Sequence, residues 1–414
     1  MSKKRLVVFL VPPEKIVNGG VLSIFSICKE SRAFRKIHRA EVVLATYPGY
    51  ETYRKNDLFK NDETIYSFDE IVKRGVPDFL LLHVPEYASL DVFQRLNKDY
   101  LAYIHAVADL RINIMHQNVL LMQKPHEVAN WFAFTPNVTQ TTAHNKYTSQ
   151  ELADKYNLPT RHLSTFVDAR QYQWTPYQKK KKIIALSPDV TEKREHIVAK
   201  LEKELPDYEV ITIRNLSYEQ YKKFIATAKY VITFGEGFDG YYVEGFFTGG
   251  ITFAVYNNEF FPNKEFGTFE NTFSSFQDML NGIVKKIQAL DKNQKQYEKI
   301  NKSNLDKINQ LYNFANYQEN IKKFYSGEYS FIPRPLSAEQ LLGEVIRQQD
   351  EAVAKTNAMI LEKDKAIAGM EKIIADKLTT IRQLDEKIIG MEHSHSWKIT
   401  KPLRKAAAIV KKKK

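Results

Sequence analysis

Two glutamates eight residues apart, Glu236 and Glu244, stand in the stretch of this 414-residue sequence that is richest in residues suited to chemistry. The stretch covers residues 232–257 and reads ITFGEGFDGYYVEGFFTGGITFAVYN. Its apolar flanks predict a strand that ends at Phe234, a glycine turn, and a helix that begins near Tyr241. Both carboxylates then face a ligand at the carboxyl edge of a sheet, where α/β proteins bind ligands. Free N–H groups at the helix start suit a diphosphate, and the loop glycines let the backbone approach it closely.

The elements that position these residues fall into two zones, 1–175 and 176–335, in which apolar runs alternate with amphipathic stretches. This alternation predicts βα units and mostly parallel sheets. The predicted strands are RLVVFLV, AEVVLATY, DFLLLHV and YLAYIHAV in the first zone, and KKIIALS, YEVITIR, KYVITF and ITFAVYN in the second. The KKKK run at 179–182 predicts a solvated linker between the two zones.

The third zone, 338–392, is predicted to be one long amphipathic helix. Apolar residues recur every seven positions, at Ile346, Val353, Ile360, Ile367, Ile374, Ile381 and Ile388. The position three residues later is mixed, with Met370 and Leu384 but also Lys363 and Lys377. The pattern favours a coiled coil and therefore a homo-oligomer. A helix packed on its own globular part and an unpaired stalk are the alternatives.

The positive charge is concentrated at one end of the chain. The formal net charge is +12, and the residues from Ser394 onward hold eight cations and no acidic residue. Because the rest of the chain carries only about +4, a general nucleic-acid-binding surface is disfavoured. The tail, 393–414, adds Trp397, Ile399 and Leu403 to these cations, which suits an anionic membrane surface bound through residues 394–414. A disordered solubilising tail is the alternative.

Several protein classes are excluded by composition. The length predicts two or three domains. The single cysteine, Cys28, excludes a disulfide framework and a cysteine-based zinc cluster. Mean hydropathy is −0.43, and no apolar run is long enough to span a membrane. The N-terminal apolar stretch is followed by Pro12 and Pro13, so we interpret it as a first strand and not as a signal peptide, and we expect a cytosolic chain.

The two glutamates and their surroundings resemble the E-x7-E signature of retaining GT-B glycosyltransferases, particularly the family 4 group. The resemblance implies an α/β GT-B fold over roughly residues 5–330, with two Rossmann-like lobes facing a cleft. The first lobe, 1–175, is then the acceptor side, and the second, 176–335, binds a nucleotide sugar. Glu236 is implied to lie by the donor sugar as a catalytic residue, and Glu244 by the ribose. The remaining donor-binding positions of this segment are Gly237, Phe238, Asp239 and Gly240.

Further matches to this family follow the expected order along the chain. Asn18, Gly19 and Gly20 resemble the family's glycine loop beside the donor phosphates. His105 in YLAYIHAV resembles the histidine near the donor sugar, and a buried structural histidine is the alternative. His83 and His116 compete with it for the same place in the cleft.

The phosphate-binding cations depart from the family pattern. Members usually carry an Arg just after the first strand of the second lobe and a Lys about six residues later, and Lys193 fits the second position. Ser187 or Pro188 stands where the Arg is expected. Arg194 or Arg214 is the candidate substitute.

The implied reaction is transfer of a sugar from a nucleotide diphosphate with retained configuration and no cofactor. Cations and helix-start amides stabilise the departing diphosphate. No D-x-D sequence occurs, which favours a site without a metal. Similar surface-polysaccharide enzymes often use dTDP-rhamnose, while UDP- and GDP-sugars fit the same motifs.

The acceptor and location also come from the resemblance. The ending S-x-S-W-K-I-T-K-P-L-R is similar to that of many bacterial surface-polysaccharide glycosyltransferases. It implies a lipid-linked glycan acceptor at the cytoplasmic face of the cell membrane, with the enzyme held there peripherally. Two alternatives stay open. One is a non-catalytic GT-B-like scaffold that assembles polysaccharide machinery through 338–392. The other is a nucleotide-sugar epimerase or phosphorylase with similar lobes.

Overall fold

A computed structural model describes residues 4–14, 19–52, 63–335 and 338–404. The chain forms two compact units, residues 1–334 and 335–414, which are described separately below. Asn18 and residues 405–414 of the predicted membrane-binding tail lie outside the described residues.

The first unit contains two parallel sheets. The seven strands of the first sheet are β1 Arg5–Val11, β2 Glu41–Thr46, β3 Ile65–Tyr66, β4 Phe79–Pro85, β5 Asp109–His116, β6 Val138–Thr142 and β7 Thr160–His162. Their order is β3-β2-β1-β4-β5-β6-β7, and every pair is parallel. This is the doubly wound order of a Rossmann-like lobe, with its switch point between β1 and β4.

The second sheet has five parallel strands and a different order. Its strands are β8 Lys181–Leu186, β9 Glu209–Thr212, β10 Ala228–Ile232, β11 Ile251–Val255 and β12 Thr272–Phe273. They lie in the order β12-β11-β10-β8-β9, so the direction of winding reverses between β8 and β10. The loops that leave these two strands at the carboxyl edge therefore flank the expected ligand crevice.

Helices cover both faces of each sheet. The α-helices of the first unit are α1 Gly19–Ser31, α2 Arg35–His38, α3 Phe68–Lys73, α4 Ser89–Gln94, α5 Lys98–His105, α6 Pro125–Ala129, α7 Gln150–Tyr156, α8 Arg194–Glu204, α9 Tyr218–Thr227, α10 Gly240–Phe247, α11 Phe276–Asp291, α12 Gln294–Leu311 and α13 Phe314–Tyr325. Strand β1 shows why two layers of helix are needed. Alternate residues of RLVVFLV enter different cores, Leu6 and Val8 on one face and Val7 and Phe9 on the other.

Helix α13 returns the chain to the first sheet after the second is complete. Tyr317, Ile321 and Phe324 lie in the same core cluster as Phe9 of β1. Beyond the helix, Phe331 forms an antiparallel bridge with Thr160 of β7. The chain therefore crosses back to the first sheet through residues 312–329.

The second unit is dominated by α14, Ala338–His393, a helix of 56 residues. The predicted long helix is confirmed, and the apolar side chains described on it are exposed, Ile360, Ile367, Ile374 and Ile381 among them. A short helix, α15 His395–Ile399, follows, and the Arg404 guanidinium lies 3.6 Å from the centroid of the Trp397 ring. Across the described parts of both units, no helix is long and apolar enough to cross a membrane.

The sequence predictions were wrong at two places in the first unit. Residues 100–107 are not a strand, because Lys98–His105 forms α5, which Asn97 caps by accepting N–H bonds from Asp99 and Tyr100. The neighbouring strand is β5, which the prediction omitted. The run at 179–182 is not a solvated linker, because β8 begins at Lys181 and Lys180 is buried with its Nζ donating to the Ala226 carbonyl at 3.1 Å.

The predicted boundary between residues 175 and 176 falls between β7 and β8 and stays a prediction.

Candidate functional site

The loops after β8 and β10 are joined directly at the switch point of the second sheet. The Ser187 N–H donates to the Ile232 carbonyl at 2.9 Å, and the Phe234 N–H donates to the Ser187 hydroxyl at 2.9 Å. Ser187 stands where the resemblance leads one to expect an arginine. Ser187 thus hydrogen-bonds the loop after β8 to the loop after β10. This position therefore stabilises the backbone that forms the crevice.

The turn between β10 and α10 depends on Gly237. Its φ is +96°, and a Cβ there would lie 2.6 Å from Phe261 Cε2 and 2.7 Å from the Val255 carbonyl oxygen. Both the conformation and the space therefore demand glycine. The turn brings Glu236 to the crevice and leads into α10, whose first residue is Gly240.

Asp239 and Phe238 use their side chains to build this turn. Asp239 caps α10 by accepting from the Tyr242 N–H at 2.8 Å, and it accepts from the Thr233 hydroxyl at 2.7 Å. Burial raises the pKa of Asp239 to about 6. The Phe238 ring packs against Tyr242, Phe261 and Phe266. Phe238 and Asp239 can therefore contact the sugar donor only through their backbone groups.

Glu236 lies in the turn, partly buried, and contacts the first lobe. Its Oε1 accepts from the Asn118 side-chain amide at 2.5 Å. Burial raises the pKa of Glu236 to about 7, and the nearby carboxylates of Asp239 and Asp189 add to the rise, while the Asn118 bond opposes it. A carboxyl group whose pKa is raised by burial and neighbouring charges in a crevice is a candidate functional group.

Asn118 links Glu236 to a second buried carboxyl group, Glu86. The Asn118 N–H donates to Glu86 Oε1 at 2.8 Å, and Glu86 Oε2 has no hydrogen-bond partner among the described residues. Burial raises the pKa of Glu86 to about 7 against the lowering effect of the backbone amides around it. Sequence reasoning missed both residues. The sequence signal for a site here is that Glu86 follows β4 and Asn118 follows β5, and that these two strands are neighbours in the sheet.

Glu244 lies inside a group of tyrosines. It is 5% exposed, and its two carboxylate oxygens accept from the hydroxyls of Tyr172, at 2.7 Å, and Tyr221. The Tyr172 and Tyr218 hydroxyls are 2.5 Å apart. Burial raises the pKa of Glu244 to about 7, although the two tyrosine donors lower it. Each tyrosine hydroxyl occupies one acceptor position of a Glu244 carboxylate oxygen. A ribose can reach the remaining acceptor positions only if the tyrosine side chains move apart.

Two of the three predicted cations lie at the start of α8 and differ in exposure. Lys193, one-third exposed, pairs with Glu192 at 3.1 Å. The Arg194 side chain is buried and donates to the Thr212 hydroxyl at 3.0 Å and the Ser187 carbonyl at 3.5 Å. Arg194 thus supports the loop after β8, while Lys193 is accessible to a ligand. Arg214 is exposed after β9.

The three candidate histidines lie in different places. His105 ends α5 four residues before β5 begins, so it lies at the amino edge of the first sheet, and its predicted place at the end of a strand is wrong. His116 ends β5 at the carboxyl edge, and its Nε2 lies 2.9 Å from Gln140 Oε1. His83 is buried within β4 and stacks on Phe9, with ring centroids 4.0 Å apart. Burial lowers the pKa of His116 to about 4 and that of His83 to about 3, so both are neutral at physiological pH.

The remaining predicted residues open the first lobe. Helix α1 begins with Gly19 and Gly20, as the glycine-loop motif predicts, and a Cβ on Gly19 would meet no atom within 4 Å. In the described part of the chain, no group of three His, Cys, Asp or Glu side chains is arranged to hold a metal ion. The roles assigned to the individual site residues stay predictions.

Two solved structures resemble this architecture. Sucrose-phosphate synthase from Thermosynechococcus elongatus is 11% identical and superposes with a TM-score of 0.51 over 78% of this chain and 99% of that one. A glycosyltransferase from Rickettsia africae is also 11% identical, with a TM-score of 0.50 over 78% of this chain and 98% of that one. No protein-family profile and no curated protein sequence matches the chain. At such identities the likeness shows the fold alone, and that fold is GT-B: two Rossmann-like lobes, followed here by a long C-terminal helix.

Proposed function

We propose that this protein is a retaining glycosyltransferase that moves a sugar from a nucleotide diphosphate to a lipid-linked glycan. One observation carries the proposal. Glu236, whose pKa is raised to about 7, stands at the switch point of the second sheet between the starts of α8 and α10. Carboxyl groups, helix-start amides and a cation thus converge on one crevice, which suits an electrophilic sugar joined to an anionic leaving group.

Different site residues stabilise the two charges that develop during the reaction. As the bond between sugar C1 and the diphosphate breaks and an acceptor hydroxyl oxygen bonds to C1, positive charge develops on the sugar ring and negative charge on the leaving phosphate, which takes up the hydroxyl proton. Ionised Glu236 stabilises the first, and Lys193 with the N–H groups at the start of α8 stabilises the second. Asn118 holds Glu236 from the opposite lobe, so the two lobes enclose the reacting sugar and exclude water.

The binding step is tested with a thermal-shift screen of the purified chain against UDP, GDP, dTDP and their common sugars, dTDP-rhamnose included. A ligand at a hundredfold excess over its dissociation constant stabilises the native state by about 2.7 kcal/mol, so one nucleotide should raise the melting temperature. Lys193→Ala should abolish the shift, whereas Lys203→Ala, a control on the exposed last turn of the same helix, should keep it. A shift that survives in Lys193→Ala contradicts the site assignment.

The transfer step needs its own readout. Release of the nucleotide in the presence of membrane lipid extract reports turnover, and the anomeric configuration of the product, read by NMR, tests retention. An inverted product contradicts the retaining assignment while leaving the donor site intact.

We place the enzyme at the cytoplasmic membrane face, as a homo-oligomer. The exposed apolar residues along α14 support self-association through 338–392. Lys398, Lys401 and Arg404 beside Trp397 support binding to anionic lipid. Flotation with vesicles of phosphatidylglycerol, but not of phosphatidylcholine alone, is expected. Reversing these three charges to Glu should weaken flotation, since five cations of the tail remain, and light scattering should give a mass above 48.2 kDa.

A non-catalytic scaffold is the second candidate. It is favoured by Arg194, the candidate substitute for the missing arginine, because its guanidinium is turned inward to Thr212 and Ser187. The scaffold predicts that no nucleotide shifts the melting temperature and that partner enzymes associate through α14. Saturable binding of one nucleotide diphosphate excludes it.

A further inference from the structure

The segment that joins β7 to β8, residues 163–180, passes from the first lobe to the second near Phe166. The Phe166 ring packs on a core of the first lobe, where it stacks on a tyrosine of α13 with ring centroids 5.0 Å apart. Val167 and Tyr172 pack in the core of the second lobe. Residues 167–175, called the strap below, are therefore the first part of this segment to pack on the second lobe.

The strap docks along α10, the helix whose start borders the crevice. The Thr175 N–H donates to the carbonyl of Thr248, the residue that ends the helix, at 3.0 Å. The Tyr172 ring centroid lies 5.8 Å from that of Phe247, and the Tyr172 hydroxyl donates to Glu244 Oε1 at 2.7 Å. The strap is thus connected to the buried carboxyl group of α10 through one side-chain hydroxyl.

The Glu244 side chain points back along α10 towards the crevice. A Cβ on Gly240, the first residue of the helix, would lie 3.5 Å from Glu244 Oε1, because helical side chains incline towards the amino end. The carboxyl group therefore lies beside the helix start whose N–H groups suit a diphosphate. Two hydroxyls reach it there, that of Tyr172 on Oε1 and that of Tyr221 on Oε2.

These two tyrosine hydroxyls have the chemistry of the pentose hydroxyls of a nucleotide. Each donates one hydrogen bond to a carboxylate oxygen, as a pentose hydroxyl does. A nucleoside diphosphate carries its pentose next to the diphosphate, so its hydroxyls come close to the helix start that holds the phosphates. Because Glu244 is buried, such a ligand reaches the carboxylate only when a tyrosine hydroxyl leaves.

The two tyrosines differ in how firmly the backbone holds them. Tyr221 lies within α9, whose start is closed by a capping box between Ser217 and Gln220. Tyr172 lies on the strap, at a position outside any helix or strand. Since its ring is buried, its hydroxyl leaves the carboxylate only if the strap shifts. The strap therefore moves at a lower cost than the capped helix.

From these contacts we infer that Tyr172 is a specificity-determining residue, whose hydroxyl holds the place of a pentose hydroxyl on Glu244 and leaves when a nucleoside diphosphate binds. The inference rests on the proposed function, in which the nucleotide binds between the starts of α8 and α10. A nucleotide without pentose hydroxyls leaves Tyr172 in place and gains nothing from the carboxylate. Recognition of the pentose is thereby linked to the segment that joins the lobes.

The test compares nucleotides with and without pentose hydroxyls on the full chain. UDP, GDP, dTDP and their 2′,3′-dideoxy counterparts are titrated by calorimetry onto wild type and Tyr172→Phe. At least one of the first three should bind Tyr172→Phe about tenfold more tightly, because it no longer displaces a hydrogen bond to a carboxylate. Its dideoxy counterpart should bind both chains with affinities within about threefold of each other.

A control variant and a second readout accompany the titration. Tyr177→Phe removes a hydroxyl of the same joining segment, one that donates to the Asp291 carbonyl at 2.8 Å, and should bind nucleotides as wild type does. Hydrogen exchange on wild type needs no substitution. Amides of the strap, the Thr175 N–H among them, should exchange faster when the nucleotide is bound and should not respond to its dideoxy counterpart.

The outcomes separate this inference from the proposed function. Equal or weaker nucleotide binding by Tyr172→Phe, or an equal gain by the dideoxy nucleotide, overturns the role of Tyr172 while the proposed function stands. Unchanged exchange in the strap overturns it as well. Binding to Tyr172→Phe alone supports both. Absence of binding by every nucleotide to both chains overturns both.

Discussion

The two sheets of the first unit present different chemistry at the same edge. The first offers the turn Tyr47-Pro48-Gly49-Tyr50 and the buried Glu86. The second offers a glycine turn, two helix starts and Lys193. Since both are parallel sheets covered by helices, the loops and not the strands make the difference. The second edge therefore suits an anion, because helix-start amides and a cation lie there.

The largest expected effect comes from a substitution at the carboxyl edge of the second sheet that leaves the edge of the first sheet unchanged. Glu236→Gln should lower the turnover number about 10²–10³-fold, because it removes a charge that acts on the transition state. Nucleotide release measures the rate. Glu202→Gln, an exposed change on α8, is the control. A loss of less than fivefold contradicts the catalytic role of Glu236.

The turns at the two sheet edges also differ in how strongly each requires glycine. Gly237→Ala should destabilise the protein by about 3 kcal/mol, since both φ and the surrounding atoms oppose a Cβ. Gly49→Ala should cost about 1 kcal/mol, because its φ is +80° but nothing lies within 4 Å of the added carbon. Urea unfolding of both variants measures the difference. Equal losses show that the second turn is no more constrained than the first.

Buried Glu244 makes the second lobe sensitive to pH. Its pKa is about 7 in the native state against an ordinary value of 4.5, so the native state holds its proton over that range and the unfolded chain does not. The free energy of unfolding therefore falls as pH rises from about 4.5 to 7. Glu244→Gln should remove about 1–3 kcal/mol of this fall.

Thermal unfolding at pH 5 and pH 8 measures this effect. Tyr221→Phe serves as the matched variant, because it removes a donor to the carboxylate and should enlarge the fall. Identical pH dependence in wild type and Glu244→Gln shows that the carboxyl group is already ionised at low pH.

The smallest effect concerns the contact that joins the two edges. Asn118→Ala removes the hydrogen bond that favours the ionised form of Glu236, so the pKa of Glu236 should rise by about one unit. Carbon-13 NMR titration, with Glu236→Gln used to assign the signal, measures it. Asn130→Ala, an exposed change, should leave the titration unchanged. An unaltered pKa in Asn118→Ala shows that the two lobes do not meet at Glu236 in solution.

Much of the fold could be predicted because buried parallel strands are continuous apolar runs. Most of the seven runs that match strands have this form, β1 and β8 among them, whereas β9 begins with the exposed Glu209 and is otherwise half-buried. The same rule failed at residues 100–107, where an apolar run belongs to a helix, and the Asn97 cap was the signal that separates the two. Strand β5 was missed because Asp109, Arg111 and Asn113 alternate with its apolar residues.

The candidate site was predictable only where it is local in sequence. Glu236, Glu244 and their glycine turn fall within ten residues, and the structure places them on one loop and helix. Asn118 meets Glu236 across 118 positions, and the tyrosines around Glu244 come from two separate segments, the loop at Tyr172 and helix α9. Such contacts follow from how the lobes pack, which no spacing in the sequence records.

The return of helix α13 sets the order in which the protein can be completed during synthesis. Strands β1–β7 leave the ribosome first, yet Tyr317, Ile321 and Phe324 of their core are made about 150 residues after β7. At about 5–20 residues per second, the first lobe waits roughly 8–30 seconds for these side chains. During that time Phe9 and its neighbours lack part of their cover. The first lobe is therefore synthesised first but completed last. A chain that stops after α12 lacks part of the core of the first lobe, even when the second lobe has folded.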